Sequence, residues 1–199
     1  MKKALFIGAH TDDIEMGCGG YIQRFETKMV VVFSPAIESI PTGFPNDTTK
    51  NEFENSCSKI NCESKLYEIP VRNFDTHRQF ILEELVKIKK EYRPDIVFTH
   101  SSSDIHQDHQ VIYEESIRAF RDISILGYNI WSNNNEKKFN YFIELSDIEL
   151  GNKIDFMSCY KSQLAKKDYL KIIKINAEYF GMLLGKKYVE NYELIRWIE

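Results

Sequence analysis

The sequence predicts an α/β fold: a Rossmann-like, doubly wound and mainly parallel sheet, in strand order 3-2-1-4-5, flanked by helices. Three observations lead there. Short continuous apolar runs, such as Ala4-Leu5-Phe6-Ile7-Gly8 and Met29-Val30-Val31-Val32-Phe33, read as strands buried on both faces. Stretches with helical periodicity separate them, and strands alternating with helices build a parallel sheet with right-handed crossovers. Segments rich in proline and glycine follow the runs and read as loops at strand ends.

In chain order, the first strand covers Lys3 to Gly8. A helix follows over about Gly17 to Thr27, with Tyr21, Ile22 and Phe25 on one face. The second strand is Met29 to Phe33. Ser34 to Asn46 contains Pro35, Pro41, Gly43 and Pro45; it is a loop at a strand end, placed to line a pocket. A helix over Thr48 to Ile60 repeats Phe53, Cys57 and Ile60 at helical spacing, which marks a core-facing stripe. The third strand spans Lys65 to Ile69, and Pro70 to Thr76 is the next loop. Phe80 to Tyr92 is the clearest helix; Pro94 stops it, and Asp95 to Thr99 forms the fourth strand. Val111 to Phe120 is helical, with His109 near its amino-terminal end. Gly127 to Asn135 is polar and aromatic and is expected to border a substrate site, with Trp131 as a sugar-stacking residue or lid. Phe139 to Leu145 is a strand. Ser146 caps a helix through Glu149 and carries it to about Leu164. A last helix covers Asp168 to Leu184, and Gly185 to Ile198 closes the chain. No repeat or linker interrupts it, so residues 1–199 are expected to form one domain.

Composition narrows the function. The chain has 199 residues, 43% hydrophobic and 28% charged, with a formal net charge of −4, which is ordinary globular usage. No basic patch or stripe of the kind nucleic acid needs is visible, so no nucleic-acid partner is expected. Met1-Lys2-Lys3 begins like a secretion signal, but the apolar run behind it meets His10 and two carboxylates too soon. No run approaches the ~18 apolar residues of a membrane span, and a cytoplasmic location is expected. The four cysteines, Cys18, Cys57, Cys62 and Cys159, form no Cys-x-x-Cys pair and read as reduced, packed thiols. Cys18 is near enough to the polar cluster described next to be weighed as a ligand, although Gly17 and Gly19-Gly20 around it favour tight helix–sheet packing. Apolar residues toward the carboxyl end suit a homo-oligomer.

Two polar clusters carry the chemistry. Ala9-His10-Thr11-Asp12-Asp13-Ile14-Glu15 follows the first strand, and Asp104-Ile105-His106-Gln107-Asp108-His109 follows the fourth. In the order 3-2-1-4, strands one and four are neighbours at the winding reversal, where open α/β sheets bind ligands. Both clusters therefore meet despite their distance in sequence. The first cluster offers two ligands and a spare carboxylate, and the second cluster the third; if His10, Asp13 and His109 bind zinc or another divalent transition metal, a position is left open for water. Two consecutive side chains seldom bind one metal, which leaves Asp12 as general base. His106 and Asp108 remain: a histidine oriented by an aspartate can stabilise an oxyanion or protonate a leaving amine. No Gly-x-Ser-x-Gly elbow is present, and the set supports hydrolysis of an amide or ester.

These residues resemble a known family. Ala9 to Glu15, Gly17-Cys18-Gly19-Gly20 and His106-Gln107-Asp108-His109 are similar to the signatures of the LmbE-like (PIG-L) zinc-dependent N-deacetylases, as are Tyr160-Lys161-Ser162-Gln163 and the residues around Ala177-Glu178 and Tyr188-Val189-Glu190. The resemblance implies removal of an N-acetyl group from an amino sugar or its conjugate, free, nucleotide-linked or lipid-linked. It implies His10, Asp13 and His109 as zinc ligands, Asp12 as base, and His106 oriented by Asp108. Asp104 is a weaker match, expected behind the ligands and counted with the substrate-binding residues. Thr11 stands where the family usually has proline, and activity is expected to survive the loss of stiffness. Lys50 stands near the family's usual substrate-facing arginine, without its bidentate geometry. Two rival readings remain: a hydrolase acting on another amide, such as a thiol-sugar conjugate, and a non-catalytic sugar- or nucleotide-binding module.

Overall fold

The apolar runs become strands because both of their faces are covered. The structure, a computed structural model, describes residues 2–134 and 138–199. Its strands are β1 (Lys3–His10), β2 (Thr27–Ser34), β3 (Glu63–Leu66), β4 (Ile96–His100), β5 (Ser124–Tyr128), β6 (Tyr141–Glu144) and β7 (Val189–Arg196). They form one sheet in the order β3-β2-β1-β4-β5-β7-β6. The first five positions are parallel, and the first four match the predicted order 3-2-1-4; the fifth is Ser124–Tyr128, where the sequence reading places no strand, while the strand expected at Phe139 to Leu145 is the antiparallel β6 at the far edge. β7 then runs antiparallel between β5 and β6 and extends the sheet beyond the predicted five.

Alternation along β1 divides the core in two. Leu5, Ile7 and Ala9 face one way and join Val31, Phe33, Val97 and Ile125 beneath α3 (Arg78–Tyr92) and α4 (Gln107–Ala119). Ala4 and Phe6 face the other way and join Val30, Val32, Phe98, Leu126 and Tyr128 beneath α1 (Asp13–Cys18) and α2 (Thr48–Ile60). Phe6 and Phe98 stack there at 4.4 Å. Two further helices, α5 (Asp147–Met157) and α7 (Tyr169–Leu183), close over this side through Leu150, Met157, Ile173 and Ala177. Among the described residues no helix is long and apolar enough to cross a membrane.

Several predicted elements differ from the observed ones; the third strand, expected at Lys65 to Ile69, is Glu63–Leu66, and the helix expected from Val111 begins at Gln107. The helix expected over Gly17 to Thr27 starts earlier, at Asp13, and ends at Cys18, with a short 3-10 turn at Tyr21–Arg24. The Glu190 carboxylate interrupts it by accepting the Gly20 and Tyr21 backbone N–H groups, both at 2.8 Å. The helix expected from Ser146 to Leu164 divides into α5 and a short α6 (Lys161–Leu164), because Tyr160 turns inward between them and is fully buried. Its start is as predicted: Ser146 and Glu149 form a reciprocal capping box. The polar, aromatic segment Gly127 to Asn135 begins inside β5, at Gly127 and Tyr128, and its last residue, Asn135, lies outside the described residues.

The glycines behind the first cluster hold α1 against the sheet. A Cβ on Gly17 would fall 2.3 Å from the Tyr128 ring, and one on Gly20 would meet Leu145 at 2.5 Å. The Tyr128 hydroxyl donates to the Ile7 carbonyl at 2.8 Å, so the ring cannot retreat without breaking a buried hydrogen bond. Gly17→Ala is therefore expected to destabilise the fold by about 1–3 kcal/mol through overpacking. Urea unfolding with circular dichroism would measure this, and an unchanged midpoint would refute the tight packing.

Candidate metal centre and active site

β1 and β4 lie side by side, so the residues leaving their carboxyl ends share one cavity. The chain leaves β1 at His10 and enters α1 at Asp13, which presents three polar side chains within one turn. It leaves β4 at His100, and after a loop His106 caps α4, its ring Nδ1 accepting the Asp108 backbone N–H at 3.2 Å. The cavity, about 220 Å³, is lined by His10, Asp12, Asp13, His106 and His109, with Ala36 and Ser39 from the loop after β2, Val71 and Arg72 from the loop after β3, and Gln163, Lys166 and Tyr169 from the far side. The loop from Ser34 thus lines the pocket, and Ile130, Ser132 and Asn133 border it from the segment after β5.

Hydrogen bonds at the back of each histidine decide what faces the cavity. His10 Nε2 lies 3.1 Å from Asp108 Oδ2, and His109 Nδ1 lies 2.8 Å from Asp104 Oδ2. With the protons on those nitrogens, His10 Nδ1 and His109 Nε2, which lie 3.1 Å apart, would both be free to turn a lone pair to a cation. Asp13 completes the group, with oxygens 3.7 Å from His10 Nδ1 and 3.5 Å from His109 Nε2. Ligands bonded to zinc at about 2.0–2.1 Å with tetrahedral angles lie roughly 3.3 Å apart. The donor set and its spacing therefore fit a divalent transition metal, and each histidine has the carboxylate behind it that metal-bound imidazoles usually have.

Asp13 reaches His10 through Oδ2 and His109 through Oδ1, whereas two triads bring a single ligand atom of each residue within 4.8 Å of the others, His10-His106-His109 and Asp13-His100-His109. Neither fits as well. His106 Nδ1 is occupied by the Asp108 N–H, which leaves its Nε2 as a proton donor. His100 Nε2 accepts the Ala9 N–H at 3.1 Å, and its ring is stacked on His109 at 3.8 Å and 15°, so the lone pairs of the two rings run side by side instead of converging.

The charges are strongly coupled. Burial, then the adjacent Asp13 carboxylate, push the Asp12 carboxyl up to about 6. Burial works the same way on Asp13, but His109, His100 and His10 outweigh it and hold Asp13 ionised well below the usual carboxylate range. Burial, then His100, press His109 down to about 4, which keeps it neutral and able to ligate. For His10 burial opposes protonation, but the Asp108 hydrogen bond and the Asp13 and Asp12 charges raise it. Burial and the nearby His10 lower His106.

The predicted site residues do not all sit as expected. His10, Asp12, Asp13, His106 and His109 converge. Asp108 orients His106 through its backbone; its carboxylate instead binds His10 and accepts the Arg72 N–H at 2.9 Å, because the turn into α4 points that side chain back toward β1. Asp104 is buried and supports His109, not substrate. The Lys50 ammonium is turned away onto Glu68, a closer ion partner, and is not among the cavity residues. Trp131 is 56% exposed and lines an adjoining groove with Met16, Lys167 and Tyr169. Cys18 is buried among apolar side chains, where burial keeps its thiol protonated. Thr11 is steadied by the Tyr160 hydroxyl, 2.5 Å from its carbonyl oxygen, which does part of what proline would do.

Sequence reasoning missed His100, Arg72 and Lys166. His100 directly follows the apolar run of the fourth strand, at the sheet end where ligands bind, and that position was the available signal. Arg72 and Lys166 lie in loops with no motif of their own.

Fold and cavity together define a Rossmann-like α/β protein with a histidine–aspartate cluster of metal-ligand type at the carboxyl edge of its sheet. Residues 5–120 match the model of the PIG-L family, described as GlcNAc-PI de-N-acetylase, and the chain belongs to that family. It is 32% identical over 139 residues to the uncharacterized deacetylase YaiS of Escherichia coli (strain K12), spanning 64% of this chain and 73% of that protein. The N,N'-diacetylchitobiose deacetylase of Pyrococcus horikoshii has the same fold, with a TM-score of 0.80 at 18% identity over 96% of this chain and 82% of that one. So does GalB, the 4-carboxy-2-hydroxymuconate hydratase of Pseudomonas putida KT2440, with a TM-score of 0.79 at 16% identity over 100% and 99% of the two chains.

Removing the carboxylate behind His109 separates support from ligation. Asp104→Ala is expected to lower zinc affinity by about ten- to a hundredfold while the fold persists. Competition against a chromophoric chelator measures this, and unchanged affinity in a folded variant would contradict the arrangement.

Proposed function

We propose that this chain is a metal-dependent N-deacetylase that hydrolyses the acetamide of an amino sugar or amino-sugar conjugate. The observation that carries the reading is the convergence of His10 Nδ1, His109 Nε2 and the Asp13 carboxylate on a cavity that also holds Asp12 and His106. Membership of a de-N-acetylase family and the likeness to YaiS support the acetamide as the scissile group.

His10, Asp13 and His109 would hold the ion, with zinc the best match to two nitrogens and one oxygen. When bound, such an ion supplies Lewis acidity, polarising a carbonyl and acidifying a nearby water. Asp12 takes the proton of the attacking water: its carboxyl lines the cavity and is held by no hydrogen bond to another described side chain. His106, with Nδ1 engaged by the Asp108 N–H, offers its Nε2 proton to the carbonyl oxygen as negative charge grows there, or to the departing nitrogen. Water adds to the carbonyl carbon, the C–N bond breaks, the nitrogen gains a proton, and acetate and a free amine leave. These groups read the acetamide; the cavity walls read the rest. The same fold in a hydratase shows why the reading rests on the site and not on the sheet.

Asp12→Ala is expected to reduce acetate release by about 10²–10⁴-fold, the usual worth of a general base, with metal content unchanged. Chelation is expected to abolish release and added zinc to restore it. Acetate release from a panel of N-acetylated sugars, beside metal analysis, measures both. Full activity in Asp12→Ala would remove the base from the mechanism, and activity that survives complete removal of metal would refute metal dependence.

A further inference from the structure

Asp12 has an aim that its own side chain does not secure. It precedes α1 with φ −102° and ψ −3°, and the hydrogen bond that reaches its carboxylate comes from its own backbone N–H. That N–H belongs to the same planar peptide unit as the Thr11 carbonyl. A group that fixes the Thr11 oxygen therefore fixes the N–H on the other edge of the plane, and with it the carboxylate. The peptide unit after Asp12 is held separately: its carbonyl accepts the Met16 N–H at 3.1 Å, the first bond of α1.

The group that fixes the Thr11 oxygen is Tyr160, at the junction of α5 and α6. Its ring is fully buried and packs with Leu150, Met157, Ile173 and Ala177, a contact that phenylalanine would also make. The hydroxyl does something a packing residue does not need. It lies 2.5 Å from the Thr11 carbonyl oxygen and 2.9 Å from Glu15 Oε1. Glu15 is buried and tied to α2, because the Ser56 hydroxyl donates to the same carboxylate oxygen. The Tyr160 hydroxyl is thus seated between a fixed carboxylate and the peptide that leads into Asp12. Tyr160 is not among the residues that line the cavity, so any effect on the chemistry passes through that peptide.

We propose that Tyr160 is a positioning residue: its hydroxyl holds the Thr11–Asp12 peptide and so aims the Asp12 carboxylate at the attacking water. The proposal rests on Asp12 being the base of the proposed hydrolysis. Displacing a reacting group by about 1 Å can cost about a hundredfold in rate, so a hold on one peptide plane is enough to matter.

The test is a double-mutant cycle on the zinc-loaded protein, with Tyr160→Phe, Asp12→Ala and both together. Acetate release from N-acetylglucosamine and N,N'-diacetylchitobiose is measured beside zinc affinity and urea unfolding. Tyr160→Phe is expected to keep the fold, and to keep zinc affinity and KM within about two-fold, while kcat falls about ten- to a hundredfold. In the Asp12→Ala background the same substitution is expected to change the residual rate by less than about two-fold, because no carboxylate is left to aim. Amide hydrogen exchange reads the hold without catalysis: the Asp12 and Met16 N–H groups are expected to exchange about ten-fold faster in Tyr160→Phe, with β1 and β4 unchanged. An unchanged kcat, or an equal loss with and without Asp12, overturns the positioning role and leaves the deacetylase standing. Loss of the fold or of zinc in Tyr160→Phe makes the hydroxyl structural and overturns it too. Full activity in Asp12→Ala rejects the base, and the positioning role with it. In a protein that releases acetate from neither sugar, faster exchange supports the hold on the turn and counts against the N-acetyl sugar reading, and unchanged exchange overturns the hold.

Discussion

A neutral imidazole has one proton and one lone pair, and hydrogen bonding at one nitrogen settles what the other presents. At His10 and His109 the outer nitrogens meet the buried carboxylates of Asp108 and Asp104. The inner nitrogens are left 3.1 Å apart, beside a third carboxylate, on the wall of the cavity. Such a cluster is costly unless something positive sits among it, and a divalent cation satisfies all three groups at once. The proposed mechanism follows from this constraint. Asp12 is next to the proposed ligand Asp13 and is left free to act as base, and His106 has its proton on the cavity side because Asp108 takes the other nitrogen through its backbone.

The fold makes that constraint affordable by spreading it over several rigid elements. β1 and β4 are held in register from Ala4 opposite Ile96 to Phe6 opposite Phe98, so the residues that leave their ends are positioned by buried sheet on both faces. Gly17 lets α1 sit directly on Tyr128, which fixes the angle at which Asp12 and Asp13 enter the cavity. On the outer side the Tyr160 hydroxyl holds the Thr11 carbonyl, and Glu52 accepts the Ser162 N–H and hydroxyl, so α2 and the α5–α6 junction brace the same turn. His100 packs flat against His109 as part of the wall.

Much of this was legible in the sequence, for physical reasons. Parallel strands announce themselves as continuous apolar runs, and the central strands were found to within two residues at each end. The order of the first four strands followed from alternation with helices, and the meeting of the two clusters followed from it; β5 was not read as a strand, and the strand expected at Phe139 to Leu145 lies at the far edge as β6. What escaped notice depends on contacts between residues distant in sequence. β7 is a strand because it pairs with β5 and β6, and nothing within Val189–Arg196 requires it. The helix after β1 stops where it does because Glu190, at the far end of the chain, takes two of its N–H groups. Asp108 was read as the partner of His106 because they are close in sequence, while its carboxylate reaches across to His10. Lys50 was placed by its position in a motif, and an ion partner, Glu68, draws it elsewhere.

The position of the metal discriminates most sharply between His10 and His100, the two histidines that could share Asp13 and His109. Crystals of the zinc-loaded protein, with an anomalous-difference map at the zinc edge, would locate it. The geometry predicts one strong peak about 2.0–2.2 Å from His10 Nδ1, His109 Nε2 and an Asp13 oxygen, with His100 outside bonding distance. A peak bonded to His100, or none at that cluster in a zinc-replete crystal, would contradict the ligand set and the mechanism built on it.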